Sequence, residues 1–281
     1  MIKLVLTDLD DTLIPFGNPG VSDFARAAIH ELLDAGVHFG PVSGRPPRSM
    51  SWMFGDDPAC FATGAFANGQ VIYVDGELRR AIEISREDLD RAVRTIDGLD
   101  GAFIAHLDLD EPDNSAFLTY REDKAVQVPE DFPFAHKVRL GLGEGPYLKV
   151  AMCFSHKDQA YVTEVRDYLN EAVPGLDFYR PSNVVPALDV SPRGWTKGSA
   201  VLAVAEELGI SPDEVCVFGD TENDVPMLAA VPHSVAVANA NEDAKAAARY
   251  SIGDCREESV AKALLEIAAA SRRGELPAFL R

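Results

Sequence analysis

Three short apolar runs in this chain each stop abruptly at a polar cluster, and that pattern narrows the fold more than any other feature. Residues 2–7 (IKLVLT) lead into Asp8, Asp10 and Asp11, residues 37–42 into Ser43-Gly44-Arg45, and residues 215–218 into Gly219-Asp220. Such runs read as buried strands that deliver polar residues at their carboxyl ends. Between the first two, Phe24, Ala28, Leu32 and Ala35 recur at helical spacing and Gly36 sits where a helix ends. Strand, helix, strand, with chemistry at the strand ends, is the grammar of a parallel α/β sheet. The far end repeats it: a helix over 197–208, the strand 215–218, a helix over 222–230, a strand over 234–238, then helices over 242–249 and 257–270. Pro226 falls in the first turns of its helix, where proline is tolerated. The tail, 271–281, carries weak signals and is expected to be loose.

The middle of the chain reads differently. Runs 70–74 and 78–84 flank Asp75-Gly76, a two-residue hairpin signal. A helix over 86–97, strands near 102–107, 115–120 and 147–154, a helix over 157–171 and a strand over 176–180 follow, interrupted by a loop-rich stretch from 122 to 146. At 281 residues the chain is near the length where one core divides into two. The expected architecture is a Rossmann-like α/β core built from 1–82 and 187–281, with an α+β domain over 83–186 inserted into it.

Asp and Glu number 45 against 26 Lys and Arg, a formal net charge of −19. An evenly acidic surface repels nucleic-acid phosphates, so a main role in binding DNA or RNA is not expected. No stretch approaches the roughly 18 apolar residues of a membrane-spanning helix, and residues 1–13 reach acidic residues too soon for a signal peptide. Cys60, Cys153, Cys216 and Cys255 are widely spaced and read as buried free thiols of a cytoplasmic protein. The oligomeric state leaves no mark in the sequence.

Parallel strands present their carboxyl ends on one edge, so Asp8-Leu9-Asp10-Asp11-Thr12, Ser43-Gly44-Arg45 and Gly219-Asp220-Thr221-Glu222-Asn223-Asp224 can converge there, with Lys197 arriving from a helix start. Two carboxylates on one short loop and a third acid nearby form a hard-oxygen set suited to magnesium. Asp8 and Asp10 can divide the work, one metal-bound and ionised, the other holding or releasing a proton.

DLDDTL resembles the DxDxT first motif of the haloacid dehalogenase-like phosphohydrolases; PVSGRP, TKGSAV and GDTENDVPML resemble the second, third and fourth, in order. AFANGQVI and SVAVANANEDAKAAA resemble the Cof-like subfamily, which carries a large cap after the second motif. The resemblance implies an aspartyl-phosphate mechanism with Asp8 as nucleophile and Asp10 as general acid and base. It implies Mg2+ held by the Asp8 and Asp220 carboxylates and the Asp10 backbone carbonyl. Asp224 would support the metal site from outside or orient Lys197; Ser43, Gly44 and Lys197 would bind the phosphoryl group, and Asn223 the phosphate or the metal's waters. Two positions depart from the pattern: Asp11 where this subfamily commonly has glycine, and Ser43 where threonine is frequent.

The implied substrate is a small phosphorylated metabolite, first of all a sugar phosphate. A phosphomannomutase-like transferase is the alternative, but no clustered basic residues for a second phosphate are found. A regulatory module without turnover is a further alternative, against which the intact Asp8, Asp10, Lys197 and Asp220 count. Specificity is expected in the cap, with Lys149 and Arg180 ahead of Arg121, Lys124, Ser182 and Asn183. Asp108-Leu-Asp110 lacks the Gly and Glu of a calcium loop and reads as an acidic surface loop. Asn68-Gly69 reads as a turn, the six histidines as scattered, and Trp52, Phe54, Phe66, Tyr147 and Phe154 as core.

Overall fold

The first apolar run forms the strand Leu4–Thr7, every residue of it buried. It pairs in parallel with His38–Pro41 on one side and with Val215–Gly219 on the other. His233–Ala236 and Tyr250–Ser251 extend the sheet beyond Val215–Gly219, again in parallel. From Leu4–Thr7 the chain therefore turns one way to its second strand and the other way to its later ones. That reversal opens a crevice at the carboxyl ends of the strands, where open α/β sheets bind ligands. Thr7 stands level with Phe218, so Asp8 and Gly219-Asp220 leave the sheet side by side.

This computed structural model describes residues 1–127, 135, 137–155, 158–180 and 186–281. The chain divides into two compact units, Met1–Arg80 with Thr196–Arg281, and Ala81–Trp195. In the first, Asp23–Asp34 starts at Ser22, whose hydroxyl accepts from the Ala25 N–H, and packs against Ser259–Ser271. Its buried stripe is Ala25, Ala28, Ile29 and Leu32; Phe24, expected on that stripe, is 44% exposed. Trp52, also expected in the core, is 55% exposed on the short helix Ser49–Met53. A small sheet of Gly64–Phe66, Val71–Val74 and Glu77–Ala81 holds the expected hairpin at Asp75-Gly76. The tail is not loose. Ala278–Leu280 forms a helical turn, Leu280 is buried, and the Phe279 ring sits 6.4 Å from that of Phe218. Two anchors in a short segment fasten it without producing any periodicity.

The second unit carries a six-stranded sheet ordered Leu176–Tyr179, Ala187–Pro192, Val150–Phe154, Ala102–His106, Ala116–Thr119 and Lys137–Leu140. All neighbours are antiparallel except the last pair. Ala187–Pro192, assigned to the core from sequence, thus belongs to this sheet. Its alternation of Leu188 and Val190 with Asp189 and Ser191 is the antiparallel pattern of one apolar and one polar face. The helices Arg86–Asp97 and Gln159–Ala172 supply Leu89, Val93, Ile96, Val162, Val165 and Leu169 to a core shared with Ile104, Met152 and Val190.

Among the cap candidates, Lys124 is a structural cation. Its buried ammonium donates to the carbonyls of Ile96 and Leu99 (2.9 Å to Leu99), capping the end of Arg86–Asp97. Arg121 likewise donates to the Asp97 carbonyl and pairs with Asp123. Lys149 forms a buried ion pair with Asp189, Nζ to Oδ1 at 2.5 Å, and Arg180 donates to Gln159 Oε1. Asp108 organises its surface loop by accepting from the N–H groups of Asp110 and Glu111. Ser182, Asn183, His136 and His156 lie outside the described residues.

Candidate active site

After Leu4–Thr7 the backbone wraps tightly around one carbonyl. Leu9 O accepts from the N–H groups of Thr12, Leu13 and Ile14. Asp11 adopts the left-handed conformation, φ 59°, that makes glycine common there. Aspartate is tolerated because its carboxylate accepts from Phe16 N at 2.9 Å, while Asn239 Nδ2 donates to its carbonyl at 2.7 Å. The departure from the family pattern is therefore held by one local bond and one from Asn239.

Asp8 emerges almost completely buried, with its N–H bonded to Phe218 O at 3.0 Å. Lys197 reaches it from the first position of Lys197–Glu207, whose start is closed by reciprocal bonds between Thr196 and Ser199. The ammonium donates to Asp8 Oδ1 and to Asp224 Oδ1, both at 2.6 Å. Gly198 makes that approach feasible, because a Cβ there would stand 2.4 Å from Pro226 O. Asp224 Oδ2 accepts from Asp220 N at 3.0 Å and from Thr221 N and Oγ1 at 3.1 and 3.3 Å. Asp220 Oδ1 accepts from Thr12 Oγ1 at 2.7 Å, joining the first and fourth clusters directly.

Carboxylate oxygens of Asp8, Asp220 and Asp224 lie within 4.8 Å of one another. Three buried carboxylates against one ammonium leave an excess of negative charge, and the titration behaviour reflects it. Burial pushes the Asp8 carboxyl well up, reinforced by Asp224 and Asp220 and opposed by Lys197. Burial and then Asp224 push Asp220 up to about 7. Lys197 moves up despite its burial because Asp224 and Asp8 face it, so the ammonium stays charged. An all-oxygen, over-negative pocket suits a hard divalent cation. Asp224 accepts from one ammonium and three further donors, whereas Asp8 and Asp220 each accept from one side-chain donor and keep more acceptor capacity for a cation.

Ser43 is buried at the end of the second strand, its N–H bonded to Ala65 O and its carbonyl to Asn68 N. Its Oγ accepts from Arg45 N at 3.2 Å, which leaves the hydroxyl proton to donate. A Cβ at Gly44 would fall 2.8 Å from Asn68 Oδ1, so a larger residue there requires the Asn68 amide to shift. Ala67 and Asn68 are themselves left-handed, φ 50° and 60°. Asn223 is half-buried and its Oδ1 accepts from Thr221 Oγ1 at 2.5 Å. What it presents beyond that bond is an amide donor, suited to an anion rather than a cation.

Asp10 is placed differently from the rest of the cluster. Its exposed carboxylate accepts both arms of the Arg45 fork, Nε to Oδ2 at 2.8 Å and Nη2 to Oδ1 at 2.7 Å. Arg45, Thr12 and Asn239 are the residues to which sequence reasoning gave no role. The first two stood inside quoted motifs, whereas Asn239 had only a subfamily-like stretch to mark it.

The family model for haloacid dehalogenase-like hydrolases matches residues 5–264. An HMP-PP phosphatase from Enterobacter sp. (strain 638) is 26% identical over 268 residues, 92% of this chain and 93% of that one. Among solved structures, the phosphatase BT1666 from Bacteroides thetaiotaomicron superposes with a TM-score of 0.77 at 22% identity, covering 94% of each chain. The subclass IIB sugar phosphatase BT4131 does so at 0.72 and 20%, covering 93% of this chain and 97% of that one. With the four motifs in order and their four clusters joined by direct bonds, the chain belongs to the haloacid dehalogenase-like hydrolases, in their Cof-like phosphatase branch.

Proposed function

We propose that the protein is a magnesium-dependent phosphatase that cleaves a small phosphorylated metabolite, a sugar phosphate first of all, through an aspartyl-phosphate on Asp8. The observation carrying this reading is the buried Lys197 ammonium bonded to both Asp8 and Asp224 beside Asp220. It anchors the Asp8 carboxylate and adds a positive charge beside the site of attack. Mg2+ at the Asp8 and Asp220 carboxylates and the Asp10 carbonyl would offset the remaining negative charge and that of the phosphate.

Asp8 would attack phosphorus in line, and the departing alkoxide would take a proton from Asp10. Water would then attack the same phosphorus, giving its proton to Asp10, and the bond to Asp8 would break to release phosphate. The Ser43 hydroxyl and the Asn223 amide are the donors offered to phosphoryl oxygens. The α+β unit, Ala81–Trp195, would set specificity, and the preference for a sugar rests on the likeness to BT4131. The four buried free thiols fit a reducing cytoplasm.

Turnover of a panel of phosphate esters, with and without Mg2+, tests this against Asp8→Asn. The substitution is expected to reduce phosphate release by several orders of magnitude. Activity indifferent to both magnesium and Asp8 would sink the mechanism.

A further inference from the structure

Lys197 cannot serve every carboxylate of the site: it is almost fully buried and already shared by Asp8 and Asp224. A second cation at this edge is Arg45. Its side chain is 38% exposed, and it makes a two-bond fork with Asp10, whose side chain is 57% exposed. Arg45 feels Asp10 first and Asp8 after it, so it lies within electrostatic reach of the first two aspartates of the first motif.

The fork constrains Asp10 in a way that a point charge would not. A guanidinium edge fixes the plane and direction of a carboxylate, whereas an ammonium fixes only a distance. The backbone on each side is held as well. Asp11 is fastened by Asn239 and by Phe16, and Arg45 O accepts from Ala67 N at 3.0 Å. The direction of Asp10 is therefore set by a residue 35 positions away rather than by its own loop.

Building on the aspartyl-phosphate reading above, we propose that Arg45 is the positioning residue for the hydrolytic half of the reaction, holding Asp10 aimed and ready to accept the proton of the attacking water. In that step the water oxygen bonds to phosphorus and the proton passes to Asp10. The phosphorus–oxygen bond to Asp8 breaks, its electron pair returns to the Asp8 carboxylate, and inorganic phosphate leaves. The formation of the aspartyl-phosphate from an ester with a good leaving group needs no proton from Asp10, so Arg45 matters little there.

Rapid-mixing kinetics with p-nitrophenyl phosphate and Mg2+ separate the two halves in the full-length protein. Arg45→Met and Arg45→Lys are both expected to release about one equivalent of p-nitrophenolate in a burst, followed by turnover slowed about 100-fold, the usual worth of a positioned acid or base. KM should fall along with kcat, because the acyl-phosphate accumulates, and Asp10→Asn should reproduce the pattern with no further loss in the double variant. Lysine keeps the charge but not the fork, so recovery of wild-type rates by Arg45→Lys would overturn the assignment. So would unchanged turnover, or loss of the burst itself, which would make Arg45 a ligand of the substrate. Thermal midpoints near that of wild type show that the variants fold; a variant that does not fold leaves the test to the other substitution and to Asp10→Asn. Persistence of wild-type turnover in Asp8→Asn is the separate result that would remove the phosphatase mechanism, and the Arg45 assignment with it.

Discussion

Asp220 and Asp224 lie four residues apart and carry the same functional group, yet their surroundings give them different work. Asp224 accepts from Lys197 on Oδ1 and from Asp220 N and Thr221 on Oδ2, whereas the hydrogen bond that lowers the Asp220 pKa comes from Thr12 alone. Burial and Asp224 raise Asp220 from 3.8 to about 7, so a proton binds it more tightly in the folded than in the unfolded chain. Its contribution to the stability of the metal-free protein is fully present below about 3.8 and is lost as the pH rises towards about 7. In the presence of a chelator, the thermal midpoint of wild type should therefore fall relative to Asp220→Asn across that window. The same proton competes with the cation, so Mg2+ affinity should be roughly tenfold weaker at pH 6 than at pH 8, as for one proton displaced on binding. Affinity flat across those values would show that Asp220 is not a ligand.

At the scale of elements, the strands of the core were legible because a buried parallel strand is a run of apolar residues, and its end is marked by the first polar one. What remained illegible is what joins the ends. Thr12 meets Asp220 across 208 residues, and Asp10 meets Arg45 across 35; a side-chain bond between two loops leaves no local periodicity. The helix expected over 222–230 divides into the 3-10 turn Glu222–Asp224 and the helix Val225–Ala230. The division follows from Asp224 folding its carboxylate back onto the N–H groups of Asp220 and Thr221. Glycines mark the other hidden constraint, the close approach of elements. Gly198→Ala should cost roughly 1–3 kcal/mol, as overpacking does, because its Cβ would press on the Pro226 carbonyl rather than on a flexible side chain. Chemical denaturation gives the stability loss, and kcat should drop with it as Lys197 is pushed from Asp8. A fully stable Gly198→Ala would mean that the two segments can separate without consequence.

Across the whole molecule, the insertion is a body with an interior of its own. The helices Arg86–Asp97 and Gln159–Ala172 close over one face of its six-stranded sheet, where Leu89, Val93, Ile104, Met152, Val165 and Leu169 are all buried. Among the described residues, its buried charges find partners within the unit: Lys149 pairs with Asp189, Lys124 caps a helix of the same unit, and Thr119 Oγ1 and Tyr120 N both donate to Asp97. A body that satisfies its buried charges internally needs no partner to remain folded. Residues 81–195 expressed alone are therefore expected to unfold cooperatively with native-like circular dichroism, while releasing no phosphate from any ester, since Asp8, Lys197 and Asp220 all lie in the other unit. Lys149→Met in that fragment should destabilise it by about 3–5 kcal/mol, the cost of leaving Asp189 buried without its cation. Replacing both members by apolar residues should recover most of the loss. A fragment that is unfolded in isolation would show instead that the catalytic unit supplies part of the insertion's stability, and that the two evolved as one folding unit rather than as a core with a separable cap.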